Sequence, residues 1–121
     1  MNLDIQYASA INYPTPHSYF SVGNTRDIFH TWFNFILREE EIPRTITMAH
    51  QVIEQLVPPD YARTICDLSM QLAARGVSVL CPSGDAGVGR GDCKILDEFG
   101  NEQVQFQSTF PASCTWEYTS I

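Results

Sequence analysis

Basic side chains are scarce in this sequence. Its 121 residues hold 7 Lys and Arg against 14 Asp and Glu, a formal net charge of −7 with a pI near 4.7. A surface of that sign repels phosphate backbones and anionic lipid, which excludes nucleic acid and membrane surfaces as main partners. It suits a protein that works in acid. Long apolar runs are missing too: nothing approaches the roughly 20 residues that cross a bilayer. The N-terminus has neither the basic nor the apolar region of a signal peptide. Because Met1-Asn2-Leu3-Asp4 leads straight into a helical pattern, that absence is uninformative about a longer precursor.

Other absences narrow the chemistry. There is no Asn-x-Ser/Thr acceptor, no repeat and no low-complexity run. Without a Gly-x-Ser-x-Gly elbow, Ser83 reads as a loop residue and not as a hydrolase nucleophile. The spacing of His17, His30 and His50 does not support a Ser-His-Asp triad, and His30 reads as a packed or surface residue. Cys66, Cys81, Cys93 and Cys114 lack the close spacing of a zinc site and allow three pairings if all are oxidised. No metal site is therefore expected. Cys81 falls in an apolar run and reads as a buried thiol.

What is present reads as one globular domain over residues 1–121, with 44% hydrophobic and 17% charged residues. A helix is predicted over 2–11, with Leu3, Tyr7, Ala8 and Ile11 on one face and Asp4 in its first turn. His17 to Val22 read as a short strand. A helix from about Arg26 to Glu39 carries the stripe Ile28, Phe29, Trp32, Phe33, Phe35, Ile36 and Leu37, and Glu39-Glu40-Glu41 form its solvated end. Arg44 to Ala49 suggest a strand, and Gln51 to Val57 a connection. Asp60 is the expected N-cap of a long helix from Tyr61 to Arg75. Lys94 to Glu102 read as a polar loop turning at Gly100-Asn101, with a short strand near Val104-x-Phe106. Strand and helix alternate, so the expected fold is α/β, with parallel strands and helices on both faces.

The stretch Arg75 to Asp92 organises this pattern. Gly76 closes a helix, Val77 to Leu80 form an apolar β-branched run, and Pro82 stops it before a glycine-rich loop. Ligands in open α/β sheets sit where the carboxyl end of a strand meets its loop, which is where Asp85 stands. Flanking glycines allow close backbone approach. Gly87-x-Gly89-x-Gly91 lacks the third spaced glycine and the apolar helix of a phosphate loop. Arg90-Gly91-Asp92 matches the adhesive tripeptide, which is common by chance.

Ser83-Gly84-Asp85-Ala86-Gly87 resembles the Ser-Gly-Asp-Ser-Gly segment of the sedolisins, the serine-carboxyl peptidases that include the tripeptidyl-peptidases. Further segments resemble fungal-type members, in the family's order: Val57-Pro58-x-x-Tyr61-Ala62, Leu72-x-x-Arg75-Gly76-Val77-Ser78-Val79-Leu80, Gly91-Asp92-Cys93 and Phe110-Pro111-Ala112-Ser113-Cys114. Asn2-Leu3-Asp4-Ile5-Gln6-Tyr7 is similar to the helix that carries the family's acid pair.

The resemblance implies a subtilisin-like α/β fold, present here as part of a catalytic domain, and an acid-acting serine peptidase. In that family a glutamate is general base toward a serine, one aspartate orients the glutamate, and a second aspartate donates to the oxyanion. By position Asp4 resembles the orienting acid and Asp85 the oxyanion acid. A carboxyl donates a hydrogen bond only when protonated, which ties this role to acid. Such a donor is worth about 3 kcal/mol in the transition state. The family's Ser-Tyr-Gly segment pairs its backbone with extended substrate. Here Thr47-Met48-Ala49-His50 stands in its place, so Thr47, Met48, Ala49, Ser83 and Gly84 make up the expected substrate-binding set.

The family's general-base glutamate would fall ahead of Met1, and its serine segment and calcium site beyond Ile121. A truncated or internal piece, inactive alone and without a cofactor of its own, is the expectation. Cys93 and Cys114 recur in the fungal-type pattern, which implies a bridge between them. The resemblance also implies a peptide or protein substrate if the site is completed, and secretion or an acidic vacuolar compartment. Self-association through exposed sheet edges is expected of such a piece. The alternative is a non-catalytic peptide- or protein-binding module, suggested by the changed Met48-Ala49-His50.

Overall fold

Phe29, Trp32, Phe33 and Ile36 recur at steps of three and four, so one side of their segment is apolar without a break and coils as helix α2 (Ile28–Ile36). Asp27 caps it by accepting the His30 N–H at 3.0 Å. Ile65, Ser69 and Leu72 mark the buried side of α3 (Pro59–Ala74) in the same way. Proline suits the first helical position, where no N–H is needed, so the helix starts at Pro59 and Pro58 takes the cap expected of Asp60. Asp60 lies in the first turn instead and pairs with Arg63 at 3.0 Å. A third helix, α1 (Asn2–Asn12), precedes both. The computed structural model describes residues 2–87, 91, 93–115 and 118–120.

Among the described residues seven short strands accompany these helices: β1 (Thr45–Thr47), β2 (Val52–Ile53), β3 (Ser78–Pro82), β4 (Lys94–Leu96), β5 (Glu102–Val104), β6 (Thr109–Phe110) and β7 (Tyr118–Ser120). They form a parallel sheet in the order β1-β3-β7, an antiparallel β2-β6 pair and an antiparallel β4-β5 pair. The result is a mixed helix and strand fold with short sheets. The parallel link from β1 to β3 runs through α3, as a crossover requires. At the end of α3 the Gly76 N–H donates to Ala73 O and the Val77 N–H to Leu72 O, with Gly76 at φ +78°. This double closure needs the left-handed backbone that glycine allows, and it turns the chain directly into β3.

The period of two along β3 puts Val79 and Cys81 on one face, each 1% exposed, beneath Phe33, Ile65 and Leu72 at 0%. Helices α2 and α3 share this core and contact each other. Ser78, Leu80 and Pro82, on the opposite face, stay half-buried. The expectation of helices on both faces is therefore not met among the described residues. The apolar residues of α1 do not provide the second layer: Leu3, Tyr7 and Ile11 are 65%, 64% and 77% exposed.

Side chains tie the elements together. Arg75, just past α3, donates to Leu37 O at 2.9 Å and Glu39 O at 2.7 Å, closing the end of α2. The Tyr61 hydroxyl donates to Asp27 Oδ1 at 2.5 Å. Burial raises that phenol above its ordinary value of 10.0, and the bond to Asp27 acts in the same sense, so the hydroxyl remains a donor in neutral and acid solution.

Three local expectations are corrected. His17 to Val22 form no strand: Phe20 stacks on Phe35 of α2 at 4.4 Å, and His17 Nε2 and Ser9 Oγ share a hydrogen bond of 2.6 Å. Lys94 to Glu102 are not a loop but the β4-β5 hairpin. Its turn is set by Asp97, which accepts the N–H groups of Asn101 and Phe99 at 2.9 Å each. Those bonds, with Asn101 foremost, hold the Asp97 carboxyl below its usual range. Finally, Cys114 is bonded to Cys66, not to Cys93, with a Cα–Cα distance of 5.4 Å. Cys66 lies on the packed side of α3, where buried Cys114 reaches it, and Cys93 remains a half-buried thiol beside the hairpin. Cys81 is the buried thiol expected.

The Cys66–Cys114 bridge spans 48 residues. By loop entropy, closing such a span stabilises the fold by about 4 kcal/mol. Reduction, or Cys66→Ser, is expected to lower the urea midpoint accordingly, whereas Cys93→Ser leaves it unchanged. A midpoint more sensitive to Cys93→Ser than to Cys66→Ser would contradict the pairing.

Candidate active site

Because β1 and β3 are parallel, with Thr47 opposite Leu80, both chains leave the sheet at the same, carboxyl end. The Met48 N–H still donates to Leu80 O at 2.9 Å, and the Met48 side chain turns inward, where the Cys81 thiol donates to its sulfur at 3.9 Å. Ala49 and His50 then emerge exposed, with the His50 ring 5.5 Å from that of Phe29. On the neighbouring strand pairing continues through Pro82, further than a proline stop predicts. Ser83 and Gly84 follow, half-buried, and Asp85 opens an exposed turn.

A third segment closes the arrangement. Strand β6 lies beside β2, with Val52 opposite Phe110 and Ile53 opposite Thr109. The pair is extended by the Glu54 N–H donating to Ser108 O at 3.1 Å and by the Ser108 hydroxyl donating to the Glu54 carboxylate. Phe110 anchors β6 in the core, packing edge-on against Phe29 at 5.3 Å. From this support the Thr109 hydroxyl donates to Ser83 O at 2.9 Å. The Gln51 side-chain amide lies against Gly84, 3.5 Å from where a β-carbon would stand.

The structure thus gathers Thr47, Met48 and Ala49 beside Ser83, Gly84 and Asp85 at one end of the sheet. Asp4 belongs to a different element, as an exposed carboxylate in the first turn of α1. Cys93 leaves the site for the hairpin, where its carbonyl accepts the Gln105 N–H at 2.8 Å. Gln51 and Thr109 join the site without any signal in the sequence, because their contacts arise only when β6 pairs with β2. Val88, Gly89, Arg90 and Asp92, and with them the middle glycine of Gly87-x-Gly89-x-Gly91 and two residues of the Arg90-Gly91-Asp92 triplet, lie outside the described residues. Among the described residues no three His, Cys, Asp or Glu side chains come together to hold a metal ion, and no helix is long and apolar enough to cross a membrane. An open concavity lined by His30, Asn34, Phe35, Arg38 and Glu39 sits on the outer face of α2 and takes no part in this end of the sheet.

Comparison with protein-family models gives no match. Comparison with curated proteins gives several fungal relatives. Tripeptidyl-peptidase sed4 of Aspergillus fumigatus is 30% identical over 131 residues, covering 93% of this chain and 22% of its own length. Tripeptidyl-peptidase SED3 of Arthroderma otae is 32% identical over 130 residues, covering 93% and 21%. A probable tripeptidyl-peptidase SED4 of Arthroderma benhamiae is 41% identical over 78 residues, covering 64% and 12%. The chain spans about a fifth of the length of the relatives that match most of it.

Gly84 has φ +103°, a backbone conformation closed to most L-residues, while the space for a β-carbon is ordinary van der Waals contact. Conformation therefore decides the outcome: Gly84→Ala is expected to cost about 1–3 kcal/mol in urea unfolding. A loss below about 0.5 kcal/mol, the scale of an ordinary surface change, would show that the turn relaxes without strain.

Proposed function

The chain belongs to the sedolisin family of serine-carboxyl peptidases, and from this we propose that it forms the part of a subtilisin-like, acid-acting peptidase domain that carries the oxyanion acid. Asp85 is that acid. The observation that carries the reading is its place, in the turn that follows the central parallel strand and beside the chain leaving β1. A protonated Asp85 at this end of the sheet donates to the oxygen that becomes negative as a peptide carbonyl is attacked, an interaction realised in the transition state. Asp4 is the acid that orients a general-base glutamate. The backbone of Thr47 to Ala49, with Ser83 and Gly84, lines the extended peptide.

The 121 residues offer no counterpart of the family's general-base glutamate or of its serine segment, so alone they do not turn over peptides. They need no cofactor for the role proposed. Their place of action is extracellular or an acidic vacuolar compartment, in keeping with the family. A second reading, a non-catalytic peptide-binding module, draws support from Met48, whose side chain is held inward against Cys81 while Ala49 and His50 stand where the family has tyrosine and glycine.

Exchanging this chain for the matching segment of a full-length relative separates the two readings. The chimera is expected to hydrolyse peptides within roughly pH 3 to 7, the range that brackets carboxyl titration. Asp85→Asn in it lowers kcat by about 10²–10³-fold, the effect of losing one oxyanion donor. A chimera equally active with Asp85→Asn contradicts the assignment, and one that binds peptide without turnover supports the module. The isolated chain should be inactive throughout.

Self-association of the isolated chain is a further expected outcome, with a second copy covering the exposed Leu3, Tyr7 and Ile11 of α1 and the open edge of β1. Size-exclusion chromatography with light scattering should show dimers or larger species that Leu3→Lys with Ile11→Lys disperses. A wild-type monomer at tens of micromolar would contradict it.

A further inference from the structure

The Asp85 side chain is exposed, so the position of its carboxyl depends on the backbone that carries it. That backbone has a specific tether two residues earlier, the 2.9 Å hydrogen bond from the Thr109 hydroxyl to Ser83 O. The donor is held firmly. Thr109 pairs with Ile53, and its neighbour Phe110 is 1% exposed and packed on Phe29. The turn itself begins at a glycine with φ +103°, a residue whose backbone has many alternatives when nothing restrains it. The Gln51 amide and the Thr109 hydroxyl both lie against Gly84, 3.5 and 3.9 Å from where a β-carbon would stand. A glycine hinge, an exposed functional carboxylate and a core-anchored hydroxyl thus stand in series.

We infer that Thr109 is a positioning residue for Asp85: by holding Ser83 O, its hydroxyl fixes the Gly84 hinge and so aims the carboxyl. The inference rests on the reading of Asp85 as the acid of the site. Threonine is suited to the task because its methyl group limits rotation about χ1 while the hydroxyl donates. Serine keeps the donor, and valine keeps the shape but loses the donor.

The test is backbone relaxation of the ¹⁵N-labelled full chain. In the wild type the Gly84 and Asp85 amides are expected to show order parameters near the 0.85 of rigid backbone, falling below about 0.6 in Thr109→Val. Amides of α3 and β3 and the thermal midpoint stay unchanged, and Thr109→Ser behaves as wild type. Unchanged values in Thr109→Val, a loss shared by Thr109→Ser, or a loss spread over α3 and β3 overturns the inference. If Thr109→Val does not fold, the wild type decides: a slowly exchanging Thr109 hydroxyl proton with cross-peaks to the Gly84 amide supports the tether, and a hydroxyl in fast exchange overturns it. The readout is a motion within this chain. Asp85 can therefore lack a catalytic role while the tether stands, and the tether can fail while the chimera remains sensitive to Asp85→Asn.

Discussion

Everything in this structure depends on the burial of one face of β3. Val79 and Cys81 lie beneath α2 and α3, and the same strand pairs on one edge with β1 and on the other with β7. A strand with a period of two cannot slip by one residue without exchanging its buried and exposed sets, so the α2-α3 layer fixes the register of β1 and β7 through β3. The closure of α3 at Gly76, one residue ahead of buried Val77, sets where that register begins. What emerges at the carboxyl end of the sheet is set with it.

That end is built from three separate pieces of chain: the exit of β1, the exit of β3, and β6 laid across from its pairing with β2. Each piece is short, and each relies on an anchor in the core, Met48 for the first, Cys81 for the second and Phe110 for the third. The turn bearing Asp85 is open to solvent while its supports are not. This is the arrangement expected of a reactive group carried on a loop by a rigid scaffold.

Much of this was legible in the sequence. The helical stripe from Phe29 to Ile36, the run from Val77 to Leu80 bounded by Gly76 and Pro82, and the loop around Asp85 all carry local signals that tertiary packing reinforces. Where the reading failed, local signals were weak or deciding contacts distant. His17 to Val22 read as a short strand, yet Phe20 finds its partner on the α2 surface. The β4-β5 hairpin has only three residues per strand, half of them polar, and its turn is organised by the Asp97 carboxylate. The cysteine pairing followed a family pattern, whereas the packing of α3 brings Cys66 to Cys114. The contacts of Thr109 and Gln51 with the Asp85 turn join residues 25 or more positions apart, and no periodicity reports them.

The Arg75 clamp on the end of α2 bears on how this sequence can drift. Its acceptors are the main-chain carbonyls of Leu37, Glu39 and Glu40, a kind of group that every amino acid possesses. Substitutions through the acidic run at Glu39, Glu40 and Glu41 leave those acceptors in place, whereas replacement of Arg75 removes the donors. Variation is thereby channelled to one side of the joint, and lineages can alter the charge of this corner of the surface while the junction between the two helices stays as it is.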